Sequence, residues 1–189
     1  MDSKRAAIHA AAIGEFSQRG YAGTSMANIA EAAGMSRPAL YQYFENKGDI
    51  YASAFVALIT AQVDRALEAL NESDELADQL DGLLQRFEGD LWEQMAASPH
   101  SEEVLSAKSE QVATDMRCAV EQLWGGLGEH LTSLHPGRSA AAVGRRSDWV
   151  DVLHFGPKGF KFDRPPIDVF RRRLRTLANS VAAEIETYR

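Results

Sequence analysis

The chain has 189 residues, enough for one large domain or two small ones, and its 45% hydrophobic and 25% charged residues are those of a soluble globular protein. A net charge of −7 excludes a general polyanion binder; residues 1–47 carry five Lys/Arg against four Asp/Glu and the remainder fifteen against twenty-three, so a polyanion would have to be held by locally placed cations in the first segment. One cysteine, Cys118, excludes an intrachain disulfide, and the start around Lys4 and Arg5 lacks a signal-peptide core. Nothing approaches the ~20 apolar residues of a membrane helix, so the expected location is cytoplasmic with no membrane partner.

Helical spacing then runs the length of the chain. Ile8, Ala12 and Phe16 recur every four residues, and Gly20 follows as a stop. Thr24 or Ser25 can cap a short helix holding Met26, Ile29, Ala30 and Ala33, which Gly34 ends. Ser36 caps a third helix with Pro38 in its first turn and Leu40 and Phe44 facing inward. Asn46 caps a long fourth helix reaching about Leu70. Ser73 is placed to cap a fifth, with the stripe Leu76, Leu80, Leu83, Phe87, Leu91 and Met95 and a break at Ser98-Pro99. Ser101 opens a helical stretch to about Leu134, and His135-Pro136-Gly137 reads as a turn. Residues 138–147 read as a basic link, and 148–162 as a poorly formed helix interrupted by Gly156-Pro157. Pro165-Pro166 starts a last helix with the stripe Phe170, Leu174, Leu177, Val181 and Ile185. No strand-like alternation and no internal repeat is present, so the expected fold class is all-α.

Two short helices parted by Gly34-Met35-Ser36 form a helix-turn-helix pattern. Ile29, Leu40 and Phe44 would pin them together, which leaves Arg37, Pro38, Ala39, Tyr41, Gln42 and Tyr43 around the exposed sides of the second. The chemistry suits a DNA major groove. Arg can hold guanine O6 and N7, Gln can hold adenine N6 and N7, and Pro38 or Ala39 can touch a thymine methyl. Thr24, Ser25, Ser36, the tyrosine hydroxyls and the Lys47 ammonium suit phosphate oxygens.

The stretch "GYAGTSMANIAEAAGMSRPALYQYFENKGDIY", Gly20 to Tyr51, resembles the DNA-binding domain of TetR-family transcriptional regulators. The resemblance covers about residues 1–55. Pro38 stands where the family often has Gly, and Tyr43 where it often has His. The resemblance implies a three-helix DNA-binding domain over 1–47 and a helical ligand-binding and dimerisation domain over 48–189. It also implies a homodimer that binds a near-palindromic operator, most often as a repressor, and that a small organic effector releases.

Eight residues of the larger segment are candidates for a pocket lining: Phe87, Trp92, Met95, Met116, Trp124, Trp149, His154 and Phe155. Ordinary core is the competing assignment for each. Phe170, Leu174, Leu177 and Val181 are candidates to lie at or just under a two-fold interface, with the 148–162 helix beside them, because their stripe is too continuous for one solvated side. Gly125, Gly126 and Gly128 fit helix distortion or a close helix crossing better than a phosphate loop, and Arg171, Arg172, Arg173 and Arg175 a solvated face that can pair with acidic neighbours. The histidines lack metal-ligand spacing, and no cofactor is expected. No nucleophile elbow or paired metalloprotease histidines occur, so an enzyme, or a helical small-molecule carrier without DNA binding, stands as the alternative.

Overall fold

The computed structural model describes residues 3–101, 103, 110–134 and 140–187; the expected turn at 135–137 and Glu102 lie outside them. Every regular element among the described residues is helical. The chain divides into two compact units, one of residues 1–60 with 94–119 and one of 61–93 with 120–189.

The first unit is built on α1 (Ser3–Gly23), α2 (Met26–Ala32), α3 (Arg37–Tyr41) and the first half of α4 (Lys47–Glu68). The four-residue spacing of Ile8, Ala12 and Phe16 puts all three on one stripe of α1, and all three are fully buried. They meet Ile29 from α2, Leu40 from α3, and Ile50, Tyr51 and Phe55 from α4. Burying each of the Ile, Leu and Phe side chains contributes roughly 1.5–3 kcal/mol. Gly20 takes φ 74° and ψ 167°, a non-helical backbone that interrupts α1 where a stop was expected, and a further helical turn runs on to Gly23.

Local chemistry fixes the ends of α2 and α3. Ser25 accepts from the Asn28 N–H while the Asn28 side chain accepts from the Ser25 N–H, a reciprocal cap on α2. At its other end Gly34 has φ 66°, a conformation that costs any residue with a Cβ. Its N–H reaches the Glu31 carbonyl and that of Met35 the Ala30 carbonyl, the paired bonds of a left-handed helix stop. Ser36 caps α3 by accepting from Ala39 N–H. The α3 helix ends at Tyr41, before Phe44, which was expected on it. There the Gln42 and Tyr43 N–H groups bond three residues back, so the turn tightens. Asn46 caps α4 as expected, its Oδ1 accepting from Asp49 N–H at 3.0 Å.

The second unit holds the end of α4, a 3-10 turn (Ala69–Asn71), α5 (Leu76–Leu84), a π turn (Gln85–Gly89), the start of α6 (Asp90–Ala97), most of α7 (Glu110–Ser133), α8 (Ala140–Phe160) and α9 (Ile167–Thr187). Its core pairs α5 with α9: Leu76, Leu80, Leu83 and Leu84 against Phe170, Leu174, Ala178 and Ile185. Gly126 lets α7 approach Leu67, whose Cδ2 lies 2.8 Å from where a Cβ would stand; Gly125 and Gly128 have no such neighbour.

Several expectations are corrected here. Ser73 does not cap α5. Glu75 holds the cap position, and Ser73 accepts from the Glu75 N–H in a turn of its own. The expected link over 138–147 is helix from Ala140 onward, and α8 continues through Gly156 and the buried Pro157. Cys118 is exposed on α7. The segment Lys47–Asn71 does have the length and composition to cross a membrane, with 44% of its apolar window buried within the protein. Its apolar residues supply the cores of the two units in turn, Ile50 and Phe55 in the first, Val63 and Ala66 in the second.

Candidate nucleic-acid interface and interior polar groups

Fully buried Leu40 anchors α3 and sets which of its sides faces out. Arg37, Pro38 and Gln42 are exposed, Tyr41 is 44% exposed, and Ala39 and Tyr43 are half-buried. Tyr43 also packs on the core of the first unit, so it has less freedom to reach a ligand than its neighbours. The Arg37 guanidinium donates to the Tyr41 hydroxyl at 3.2 Å and lies 5.5 Å from that ring's centre. This side-by-side placement holds Arg37 upright at the start of the helix, which reduces the rotamer freedom it would lose on binding. Ser25 and Ser36 are exposed as well, with their hydroxyls engaged in the caps.

Of two expected phosphate contacts, Thr24 is corrected and Lys47 has a structural role beside the expected one. Thr24 is buried, at 2% exposure, and its hydroxyl donates to the Gly20 carbonyl at 2.7 Å. It closes the kinked end of α1 and cannot reach a phosphate. Lys47 donates to the carbonyls of Tyr21 (2.6 Å) and Thr24 (2.8 Å) and sits 4.4 Å above the Tyr21 ring. The lysine is therefore first a latch between α4 and the loop after α1. With two of its three N–H groups so used, one remains for an anion.

The reading from sequence missed a second latch. His9 on α1 is 9% exposed, and its Nε2 lies 2.5 Å from the Ser53 hydroxyl on α4. The ring packs on Phe44, over which Arg5 also lies. Burial first, and the Arg5 charge second, hold the His9 pKa below its usual 6.5. Burial also lowers His130, which contacts the Gln79 side chain, and His154. A group with a depressed folded pKa leaves the unfolded chain binding more protons, so stability must fall as pH drops below 6.5. Thermal unfolding at about pH 7 and about pH 5 should show a loss of Tm that shrinks in His9→Gln. An unchanged loss in that variant would remove His9 from the account. The exposed carboxylates Asp163 and Glu72, lowered by hydrogen bonds from Arg173 and Arg86, act only at more acid pH.

The eight pocket candidates separate. Met95 and Met116 belong to the first unit, Met116 against its core. In the second unit Phe87 meets Trp124 edge-on at 6.4 Å, and His154 stacks on Trp124 at 4.7 Å and on Phe155 at 4.3 Å. Trp149 is buried on α8. Trp92 instead stacks on Phe170 and donates its indole N–H to the Pro165 carbonyl.

Near the first of these groups lie two buried polar atoms with no protein partner, the Trp124 indole nitrogen and the Gln62 carboxamide oxygen. Such groups cost roughly 1–3 kcal/mol each. Gln62 was legible as an anomaly, since it is a polar residue on the core-facing side of α4 between Ile59 and Ala66.

Of the four interface candidates, Phe170, Leu174 and Val181 are buried inside the second unit, and only Leu177 keeps surface area. Leu177 lines a shallow groove of about 350 Å³ with Phe160, Arg172, Arg173, Thr176 and Ser180. Three of the arginines of α9 pair with acidic neighbours. Arg171 pairs with Asp90 and Glu93, Arg173 with Asp163, and Arg175 with Asp81.

Residues 8–54 match the profile of the family described as bacterial regulatory proteins, tetR family. Over 120 residues the chain is 35% identical to the HTH-type transcriptional regulator TtgR of Pseudomonas putida, covering 62% of this chain and 55% of that protein. Over 83 residues it is 31% identical to the HTH-type transcriptional repressor SCO4008 of Streptomyces coelicolor, covering 44% and 42%. The chain thus spans about half the length of the curated relatives it matches. Its fold is similar to that of a TetR-family transcriptional regulator from Mesorhizobium loti, at TM-score 0.73 and 19% identity over 96% of both chains. It is also similar to FadR of Bacillus subtilis in complex with stearoyl-CoA, at TM-score 0.56 and 20% identity over 95% and 96%.

Proposed function

We propose that the chain is a TetR-family transcriptional regulator that works in the cytoplasm as a homodimeric repressor, which a small organic effector releases from a near-palindromic operator. The observation that carries this reading is the surface of α3. Leu40 is locked in the core while Arg37, Pro38, Tyr41 and Gln42 stand exposed together. Two copies of that helix would occupy successive major grooves, about 34–36 Å apart.

The dimer is assigned to α8 and α9 rather than to the buried part of the α9 stripe. Val152 and Phe155 are 47% and 55% exposed, and Leu177 lies in the groove beside Phe160. Phe162, just beyond α8, is 94% exposed. Exposed aliphatic and aromatic side chains of this kind are what an isologous interface covers. Repression follows the relative named a repressor, and an organic effector follows the stearoyl-CoA complex of the FadR neighbour. The effector must prefer the conformation that does not bind DNA, since equal affinity for both shifts nothing. Selection of genomic fragments on the purified protein, with footprinting and mass measurement of the complex, tests the reading. The expected result is two protected half-sites one helical turn apart and two chains per duplex. A single half-site bound by one chain would reject the dimer, and binding that is no tighter on any fragment than on random duplex would reject the regulator reading.

A further inference from the structure

The interior of the second unit holds a donor and an acceptor that the protein itself does not satisfy. On α4, Gln62 is fully buried; its Nε2–H donates to the Arg86 carbonyl at 3.1 Å, which leaves the opposite end of the carboxamide, Oε1, without a protein partner. On α7, Trp124 is 6% exposed and its Nε1–H has no protein partner. Both approach the same π turn, Gln62 through the Arg86 carbonyl and Trp124 through the Phe87 ring. Native proteins pair nearly all such buried groups, and unpaired ones mark a bound molecule or ordered water. From Trp124 a ladder of rings leads outward through His154 to Phe155, which is 55% exposed and carries Lys158 over its face.

We propose that the Trp124 indole N–H and the Gln62 carboxamide oxygen are the polar end of the effector site, which takes an uncharged, flat, largely apolar molecule carrying a hydroxyl. The inference rests on the regulator reading above and names the ligand class it leaves open. A hydroxyl is the smallest group that accepts from the indole and donates to the carboxamide. Flatness follows from the rings of Phe87, Trp124 and His154. Neutrality follows from the surroundings: both orphan groups are neutral, and the nearby carboxylate of Glu88 is already paired with Lys161. An anion or cation would enter with no counter-charge.

Three probes of one shape separate the terms: 2-naphthol, naphthalene and 2-naphthoate. Calorimetry on the wild-type chain should rank 2-naphthol at least tenfold tighter than the other two, with quenched tryptophan fluorescence. Trp124→Phe keeps an aromatic ring of smaller size and removes the N–H, so the readout is the ratio of 2-naphthol to naphthalene affinity within the variant, which should lose most of its preference for the naphthol. Gln62→Met, similar in volume, should erase it in part. Equal affinity for 2-naphthol and naphthalene in the wild type, or tighter binding of 2-naphthoate, would overturn the proposal. So would a crystal structure of protein grown with 2-naphthol in which ordered water alone fills both polar positions. Operator binding measured on the same samples separates the two readings. Intact DNA binding with no naphthol preference sinks only the ligand class, whereas absent DNA binding sinks the regulator reading itself.

Discussion

Replacing Lys161 by Met is expected to lower the unfolding free energy by roughly 2–3 kcal/mol, although the residue is partly exposed and far from α3 in sequence. Its ammonium lies 2.6 Å from the Glu88 carboxylate, whose side chain is only 6% exposed on the π turn. The same ammonium sits over the Phe170 ring at 5.6 Å, so the pair seals one end of the α5–α9 core. Removing the lysine leaves a buried carboxylate without its counter-ion, and that desolvation penalty sets the size of the loss. The estimate stays below the range for a fully buried pair because Lys161 is 28% exposed and water can partly replace it. Adding Glu88→Gln to Lys161→Met removes the stranded charge and should restore stability to within about 1 kcal/mol of the starting protein. By contrast Arg19→Met breaks an exposed pair with Glu15 one helical turn away and should cost less than about 0.5 kcal/mol. Urea denaturation of the four proteins decides the matter. If the single and double variants lost stability equally, packing of the lysine stem rather than charge would be responsible.

That pair was invisible in the sequence, and the reason is general to this chain. What could be read were features that repeat or cap. The stripe Phe170, Leu174, Val181 and Ile185 predicted α9 and is buried in it. Ser25, Gly34, Ser36 and Asn46 marked the ends of α2, α3 and α4 because each offers one specific backbone service. The π turn could not be read. Its one extra residue shifts the apolar register after Leu84 without any signal in composition, so one helix was expected where the structure has α5, the turn and α6. The Gly156-Pro157 break was expected from local propensity, yet α8 runs through it with Pro157 buried, and tertiary packing wins there. Thr24 was misread, and the structural bonds of Lys47 were missed, for a chemical reason: a hydroxyl and an ammonium suit a backbone carbonyl as well as a phosphate, and only burial and distance tell which carbonyl they meet. The same limit applied to Met116, whose apolar position on α7 revealed nothing about which of the two cores it joins.

Arg37→Ala is expected to weaken operator binding by about 1–3 kcal/mol per half-site, and so by roughly 2–6 kcal/mol for a dimer on both, with preference relaxed at one base position in each half. The arginine is exposed at the first turn of α3 and braced by Tyr41, so the change would remove the proposed base contact without opening the core. Tyr41→Phe tests the brace alone. It keeps the ring under the guanidinium, loses the 3.2 Å bond, and should cost less than Arg37→Ala on the operator. Lys47→Ala must behave differently, because its ammonium joins α4 to the carbonyls of Tyr21 and Thr24. It should lower stability by about 1 kcal/mol and weaken operator and random duplex alike. A reduced salt slope for that variant would mean that the third N–H also meets a phosphate; an unchanged slope would leave Lys47 as a latch only. For Arg37 the deciding comparison is between operator and random DNA at one salt concentration. Equal losses on the two would make the guanidinium a phosphate contact, and sequence reading would then have to rest on Gln42 and on the contacts of Pro38 and Ala39 with thymine methyl groups.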